Sequence, residues 1–362
     1  MTDTQLGEAD VLKVLQDVVD PEIGRTLGQL EMLKTVRVDA NGAIHAEIEL
    51  PTPAYPHRER VTQAIEKALS GAQRAGAAPL DVVFSSRVRG KNAGGTLGLS
   101  IANIIAVGSG KGGVGKSTMA ACLAYGLSHF GARAGLMDAD VYGPSIPHLL
   151  GVDTAKPAAL ERKTPSGETF TRIEPVVAGG VKTISMGFFI DPAQAVVWRG
   201  PLLHRAIMQF LKDTDWGPLD YLIIDLPPGT GDVALTLSQS VGLAGAVVVC
   251  TPQQVALLDA VKAISMYRQV KIPILGMIEN MSGEIFGRGG ARRKAAELGV
   301  PFLGEVPIEA EIRIKGDEGK TAALFAADSP ARPHLLHVCE QTAIQVAKQL
   351  LETPSMPTLE IL

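Results

Sequence analysis

The sequence has 362 residues, of which 46% are hydrophobic, and this is enough for two domains with ordinary cores. Its formal net charge of −4 gives no general reason to expect nucleic-acid binding. Residues 1–10 are polar and acidic, unlike a secretory signal, and the longer apolar stretches are too short to span a bilayer, so we expect no membrane partner. The three cysteines are widely spaced, which indicates no disulfide framework and favours a cytoplasmic protein.

Residues 1–90 are predicted to form a small α+β domain. The apolar periodicity at 5–19 is helical and stops at Asp20-Pro21-Glu22. Further along, apolar and polar residues alternate on either side of Asp39-Ala40-Asn41-Gly42, which indicates a β-hairpin. The predicted order is helix, strand, strand, helix and strand, over residues 5–19, 35–38, 44–50, 58–69 and 80–88.

A linker and a larger second domain are predicted to follow. Residues 91–100 are rich in Gly, Ser and Asn and lack periodicity, so they are interpreted as the linker. The second domain covers 101–352 and is followed by a tail at 353–362. Within it, nearly continuous apolar strands alternate with helices, which is typical of an α/β fold with a doubly wound, mostly parallel sheet.

The glycine-rich segment Gly110–Thr118 lies between a strand predicted at 103–107 and a helix predicted at 119–129. This is the context of a phosphate-binding loop, in which backbone N–H groups surround the phosphates and the helix N-terminus adds positive potential. We predict that Lys116 contacts the β- and γ-phosphates and that Ser117 ligates Mg²⁺. The alternative is a chance glycine-rich turn before a helix. The loop residues predicted to bind nucleotide are Gly110, Lys111, Gly112, Gly113, Val114, Gly115, Lys116, Ser117 and Thr118.

Carboxylates end two further predicted strands. Asp138 and Asp140 end the strand at 134–140, and Asp225 ends the strand at 221–225. Ligands lie beyond the carboxyl ends of strands in such a sheet, so these side chains are predicted to face the nucleotide, with Asp225 holding Mg²⁺. The first two carboxylates could instead cap the next turn. Asp225 also begins Asp-x-Pro-Pro-Gly-Thr-Gly-Asp, whose proline and glycine residues are typical of a switch that senses the γ-phosphate.

Lys111 adds an early lysine to the loop, giving Lys-Gly-Gly-x-Gly-Lys-Ser, and here the sequence resembles the deviant Walker A ATPases that include MinD, ParA and the nitrogenase iron protein. The resemblance implies a homodimer closed around ATP, in which Lys111 contacts the phosphates held by the other subunit. It also implies that Asp140 orients the attacking water, that Asp138 supports Mg²⁺ or the switch, and that Asn280 recognises the adenine edge. A solvated lysine at 111 and an ordinary strand-end turn at 280 are the alternatives.

Further strings narrow the resemblance to the Mrp/ApbC branch, the iron–sulfur cluster carrier ATPases. The N-terminal domain resembles the small iron–sulfur assembly domain that often precedes this ATPase, through Val18–Gly24 and Leu50–Pro53. The resemblance implies Mg²⁺-dependent ATP hydrolysis, binding of an iron–sulfur cluster and its delivery to apo iron–sulfur proteins as clients. The strings in the larger domain are Gly143–Ser145, Trp198–Pro201, Asp225–Asp232, Glu279–Ser282 and Pro301–Pro307.

The cysteines that the resemblance implies are absent. Members of the branch carry Cys-x-x-Cys soon after Asn-Met-Ser, and two subunits join these cysteines to bridge one 4Fe–4S cluster, which needs four ligands. Residues 281–290 contain no cysteine, and Tyr55 stands where the N-terminal relatives usually have a cysteine before proline. The cysteines that are present, at 122, 250 and 339, are predicted to be buried and inert. Two functions therefore stay open: a cluster carrier, or a nucleotide-switched partner-binding or positioning ATPase that holds no cluster.

Overall fold

The structure is a computed structural model that describes residues 7–72, 79–90, 97–163, 167, 169–190, 200–229 and 231–352. Contacts divide the chain into two units, Met1–Arg89 and Gly90–Leu362. Most of the predicted linker, the first two residues of the Trp198–Pro201 string and the predicted tail at 353–362 lie outside the described residues. No helix in the ranges given above is long and apolar enough to cross a membrane.

The N-terminal unit has the predicted order of elements around a three-stranded sheet. Its hairpin strands are antiparallel, and the last strand runs parallel to the middle one. The hairpin turn is held by Asp39, whose Oδ1 accepts hydrogen bonds from the backbone N–H groups of Asn41 (2.9 Å) and Ala43 (2.8 Å). The elements are α1 (Glu8–Gln16), β1 (Leu33–Val38), β2 (Ile44–Leu50), α2 (Arg58–Ala72) and β3 (Leu80–Ser86).

Helix α1 is shorter than its apolar periodicity predicts, because Val19 pairs with Thr26 in a β-bridge instead of continuing the helix. The turn between them is organised by Asp20, a fully buried carboxylate whose Oδ1 accepts the backbone N–H groups of Glu22 (3.0 Å) and Ile23 (2.7 Å). The prediction that residues 17–19 are helical was therefore wrong.

The larger unit is built on an eight-stranded sheet in the order β13-β12-β11-β4-β10-β5-β9-β8. All neighbouring strands are parallel except β8 and β9, which confirms the doubly wound, mostly parallel α/β prediction. A separate antiparallel ribbon of β6 (Ala158–Lys163) and β7 (Thr169–Glu174) was not predicted. The sheet strands are β4 (Ile101–Gly108), β5 (Ala134–Asp138), β8 (Val176–Ala178), β9 (Val181–Ser185), β10 (Leu219–Asp225), β11 (Leu243–Cys250), β12 (Ile274–Ser282) and β13 (Phe302–Pro307).

Helices cover the sheet, and its central strands β4 and β10 are almost wholly buried. Because β4, β5, β10, β11 and β12 are parallel, their carboxyl ends meet at one edge, which we call the carboxyl edge. The first of these helices begins at Lys116, one turn earlier than predicted, directly after the glycine-rich segment. The helices are α3 (Lys116–His129), α4 (Ile146–Leu149), α5 (Gly200–Asp213), α6 (Gly231–Ser240), α7 (Gln254–Gln269), α8 (Gly290–Leu298), α9 (Ala310–Asp317) and α10 (Arg332–Glu352).

Candidate nucleotide site

The glycine-rich segment forms a loop from the end of β4 to the start of α3. Gly113 (φ +80°) and Gly115 (φ +79°) both adopt the left-handed conformation that favours glycine, and Gly115 is the residue immediately before α3. The hydroxyl of Ser109 donates to the carbonyl of Lys111 at 2.9 Å and closes the first part of the loop. The loop therefore presents its backbone at the N-terminus of α3, where the helix favours negative charge.

Helix α7 packs so closely on this loop that side chains would not fit at two positions. A Cβ atom added to Gly110 would lie 2.1 Å from the backbone carbonyl of Asp259, and one added to Gly108 would lie 1.8 Å from the hydroxyl oxygen of Tyr267. Burial raises the pKa of Tyr267, so its hydroxyl is protonated and neutral where it meets the loop. The loop thus needs glycine for two reasons: some positions adopt a positive φ, and others leave no space for a side chain beside α7.

Lys116 lies between two carboxylates that were predicted to share its site. Its Nζ is 2.6 Å from Asp225 Oδ1 and 3.4 Å from Asp140 Oδ2, and it donates to the Ser117 hydroxyl at 3.2 Å. The Lys116 side chain is 7% exposed and that of Asp225 is fully buried, so the pair is shielded from solvent. The structure thus brings together four of the predicted residues, from the start of α3, the end of β10 and the segment directly after β5.

The second oxygen of each carboxylate is buried and accepts no hydrogen bond within the described part of the chain. These atoms are Asp225 Oδ2 and Asp140 Oδ1. Burial raises the pKa of Asp225, while the nearby Lys116 acts in the opposite direction. Unpaired carboxylate oxygens beside a serine hydroxyl are the hard oxygen ligands that Mg²⁺ prefers, so the residues present fit this ion.

Asp138 is fully buried and already has partners for both oxygens. Its Oδ1 accepts the backbone N–H of Asp140 (3.0 Å), and its Oδ2 accepts the Ser185 hydroxyl (2.8 Å) and, at 3.4 Å, the backbone N–H of Ile146. Burial, and then the neighbouring negative charge of Asp225, raise the pKa of Asp138. These hydrogen bonds connect the segment after β5 to the end of β9, as expected of a residue that supports a switch. The Mg²⁺ role of Asp138 stays a prediction.

Asn280 lies at the end of β12 and contacts the phosphate loop. Its Nδ2 donates to the carbonyl of Val114 at 2.9 Å, and a Cβ atom at Gly115 would lie 2.3 Å from the same nitrogen. The side chain is 5% exposed. Asn280 therefore shapes the loop in this structure, and its contact with adenine stays a prediction, as does the contact of Lys111 with a second subunit.

The segment after β12 forms a tight turn where the resemblance implies cluster cysteines. The backbone N–H groups and carbonyls of Gly283 and Gly287 exchange two hydrogen bonds of 2.9 and 2.8 Å, and Ile285 at the tip is 77% exposed. Among the described residues, no group of three or more His, Cys, Asp or Glu side chains could hold a metal ion.

The cysteines are buried elsewhere in the larger unit. Cys122, Cys250 and Cys339 are each at most 2% exposed. Burial raises the pKa of Cys122 and Cys250 to about 12, and it also raises the pKa of Cys339. These thiols are protonated and inaccessible in this structure, which agrees with the sequence prediction.

In the N-terminal unit, Tyr55 is buried and its hydroxyl donates to Oδ2 of Asp20. Burial and the nearby Asp20 charge raise the pKa of Tyr55, so the hydroxyl is a donor at neutral pH. Tyr55, which stands where the resemblance implies a cysteine, is here a structural residue partnered with the aspartate of the Val18–Gly24 string.

Sequence reasoning missed three residues that shape the site. Ser185 gave no signal, since its partner Asp138 lies 47 positions away along the chain. Tyr267 had the apolar context of an ordinary core residue. Glu279 lies inside the Glu279–Ser282 string, yet nothing in that string indicates that both oxygens of its side chain accept backbone N–H groups at the start of α8.

A mostly parallel sheet, a glycine-rich loop entering a helix and acidic strand ends around Lys116 define a P-loop NTPase. The family model of the NUBPL iron-transfer P-loop NTPase matches residues 100–343, and that of the iron-sulfur cluster assembly protein matches residues 8–77. The chain is 42% identical over 352 residues to the iron-sulfur cluster carrier protein of a Synechocystis species, covering 94% of this chain and 98% of that protein. It belongs to the family of iron-sulfur cluster carrier P-loop NTPases, as its sequence predicted.

Two further relatives support the assignment. The iron-sulfur cluster carrier protein of Deinococcus radiodurans is 42% identical over 361 residues, covering 96% of this chain and 99% of that protein. Among solved structures, a nucleotide-binding protein from Archaeoglobus fulgidus in complex with ADP is 37% identical, with a TM-score of 0.53, and covers 65% of this chain and 95% of that chain.

Proposed function

We propose that this protein is a Mg²⁺-dependent ATPase whose nucleotide cycle serves the assembly of iron–sulfur clusters and their delivery to apoproteins. The observation that carries the ATPase part is the position of Lys116, at the end of a phosphate loop and between Asp225 and Asp140. Family membership supports the part concerning cluster delivery.

The residues have distinct roles in this proposal. The loop backbone and the N-terminus of α3 receive the phosphates, and Lys116 exchanges its carboxylate partners for phosphate oxygens. Ser117 and Asp225 would hold Mg²⁺, and the ion would supply positive charge that offsets the charge of the phosphates. Asp140 orients a water molecule whose oxygen bonds to the γ-phosphorus as the bond from that phosphorus to the β–γ bridging oxygen breaks, so that ADP and inorganic phosphate leave and the proton of the water passes to solvent.

Replacing Lys116 tests this mechanism. We expect Lys116→Ala to lower ATP turnover by at least about a hundredfold, because it removes a positive charge that acts on the transferred phosphoryl group. The matched control is Lys262→Ala, since that lysine side chain is 79% exposed on α7. Turnover is measured as phosphate release with Mg²⁺ and after chelation. Unchanged turnover in Lys116→Ala would remove the loop from the mechanism.

We also propose that the protein works as a homodimer around ATP. Large apolar side chains are exposed on the elements that follow strands β10, β11 and β12 in the chain, which are α6, α7 and the turn after β12: Leu235 (42%), Val255 (67%), Leu258 (61%) and Ile285 (77%). A second copy would cover such a surface. Light scattering should detect a dimer with a slowly hydrolysed ATP analogue and a monomer with ADP, and Lys111→Ala should weaken the dimer. A monomer under all conditions would contradict this part.

A second candidate function is favoured by the cysteines. Thiolates are the usual ligands of 4Fe–4S clusters, yet all three thiols of this chain are buried. In this alternative the protein is a nucleotide-switched partner of other assembly factors and holds no cluster itself. Anaerobic reconstitution with iron and sulfide separates the two. A chelator-resistant cluster in stoichiometric amount supports the carrier, whereas intact ATPase activity without bound iron supports the alternative.

A further inference from the structure

Glu279 joins strand β12 to the start of helix α8. The side chain is fully buried, and its Oε1 and Oε2 accept the backbone N–H groups of Gly289 (2.7 Å) and Ala291 (2.6 Å). Helix α8 begins at Gly290, and the residue before it, Gly289, has no side chain that could satisfy these donors. A carboxylate from the sheet therefore acts as the cap of this helix, where negative charge is favourable.

The next residue on the same strand holds the phosphate loop. Asn280 donates to the carbonyl of Val114 and lies against Gly115. Successive side chains on a strand point in opposite directions, so these neighbouring residues reach two different elements. Two hydrogen-bonding anchors, one for the nucleotide site and one for α8, are thus adjacent in the chain.

The chain turns sharply directly after these anchors. Met281 has φ +57°, which is a costly conformation for a residue with a long side chain. The turn from Gly283 to Gly287 follows, and Gly289 adopts φ +74° before α8 begins. The segment 283–291 is therefore positioned at one end by a strained turn and at the other by Glu279.

We propose that Glu279 is a positioning residue that transmits nucleotide occupancy from the phosphate loop to the segment 283–291. The proposal rests on nucleotide binding at the loop, as proposed above. When nucleotide draws the loop or the Asn280 amide into new contacts, the end of β12 moves, and Glu279 carries this change to the N–H groups of Gly289 and Ala291. By linkage, a partner that binds this segment changes nucleotide affinity by the same factor.

Hydrogen exchange of the full chain, followed by mass spectrometry with and without ADP, tests the proposal. In the wild-type protein we expect ADP to change the exchange rate of peptides covering 283–291 by about fivefold or more, the lower end of ordinary coupling between sites. In Glu279→Gln, which keeps the size of the side chain but replaces one acceptor oxygen with an amide, this difference should largely disappear. Glu284→Gln is the matched control, since it removes an exposed carboxylate from the same segment.

The readout separates transmission from simple capping. Loss of a cap speeds exchange in α8 equally with and without ADP, whereas loss of transmission removes the difference between the two states. A fluorescent ADP analogue reports binding independently. No binding by the wild-type protein would overturn the proposed function, whereas binding without any change in 283–291 would overturn only the role of Glu279. The comparison of wild-type protein with and without ADP tests the proposal even if Glu279→Gln fails to fold. If Glu279→Gln folds and its segment 283–291 still responds to ADP as in the wild-type protein, the proposal is also overturned.

Discussion

Replacing Gly110 with alanine should displace the phosphate loop from helix α7. The added Cβ would lie 2.1 Å from both the carbonyl carbon and the carbonyl oxygen of Asp259, and these are backbone atoms within a helix. Ordinary contact needs more than 3 Å, so the loop must retreat by about 1 Å. Overpacking of this kind costs about 1–3 kcal/mol. At roughly 2–4 °C per kcal/mol for a domain of this size, the melting temperature should fall by about 2–12 °C.

ATP turnover by Gly110→Ala should also fall. A displacement of about 1 Å at reacting groups costs on the order of a hundredfold in rate, because the phosphates and Lys116 no longer align. Scanning calorimetry measures the first effect and phosphate release the second.

Gly112→Ala is the control for stability, since a Cβ there meets no atom within 4 Å. Gly112 is also absent from the positive-φ positions of the loop, so the change should leave the melting temperature unaltered or raise it slightly. A wild-type melting temperature for Gly110→Ala, or an equal loss of stability in both variants, would refute the predicted clash between the loop and α7.

Two further predictions concern buried polar groups. Tyr55→Phe leaves Oδ2 of the buried Asp20 without its hydroxyl donor, so the free energy of unfolding of the N-terminal unit should fall by about 1–3 kcal/mol. Urea denaturation measures this free energy. The control Tyr142→Phe should leave it unchanged, because Tyr142 is 61% exposed. Equal curves for Tyr55→Phe and wild type would contradict the structural role. All three cysteines should react with a thiol reagent only after denaturation, because each is buried. Rapid reaction of any thiol in the native protein would show that at least one cysteine is accessible.

The fold, and the grouping of the central residues of the candidate site, could be predicted from the sequence because their signals are local. The loop from Gly110 to Ser117 is contiguous, and Asp140 and Asp225 each follow an apolar strand, so the rule for parallel sheets places them together. The contacts that shape these groups are not local. Asp138 meets Ser185, and Gly110 meets Asp259, across distances in sequence that periodicity cannot connect.

The features of local structure that were predicted wrongly or not at all also have physical explanations. Helix α1 ends early because Val19 finds a strand partner in Thr26, a tertiary preference that overrides helical spacing. The ribbon of β6 and β7 pairs short strands with many exposed polar residues, so it lacks the apolar runs that identified the central strands. Glu279 has a cap function although it lies far from the start of α8 in sequence, whereas capping rules search only the adjacent residues.

Because Lys116 is paired with Asp225, phosphate binding at the proposed site would be an exchange of ions rather than an addition to an empty pocket. The carboxylate holds the ammonium at 2.6 Å and therefore competes with any phosphate that enters the loop. A cation that neutralised Asp225 would weaken this internal competitor and so raise the affinity for phosphate. By reciprocity, phosphate that took Lys116 would free the carboxylate for the cation. Metal and nucleotide would each bind weakly alone and more tightly together, so the protein would respond to the complex of the two rather than to either one.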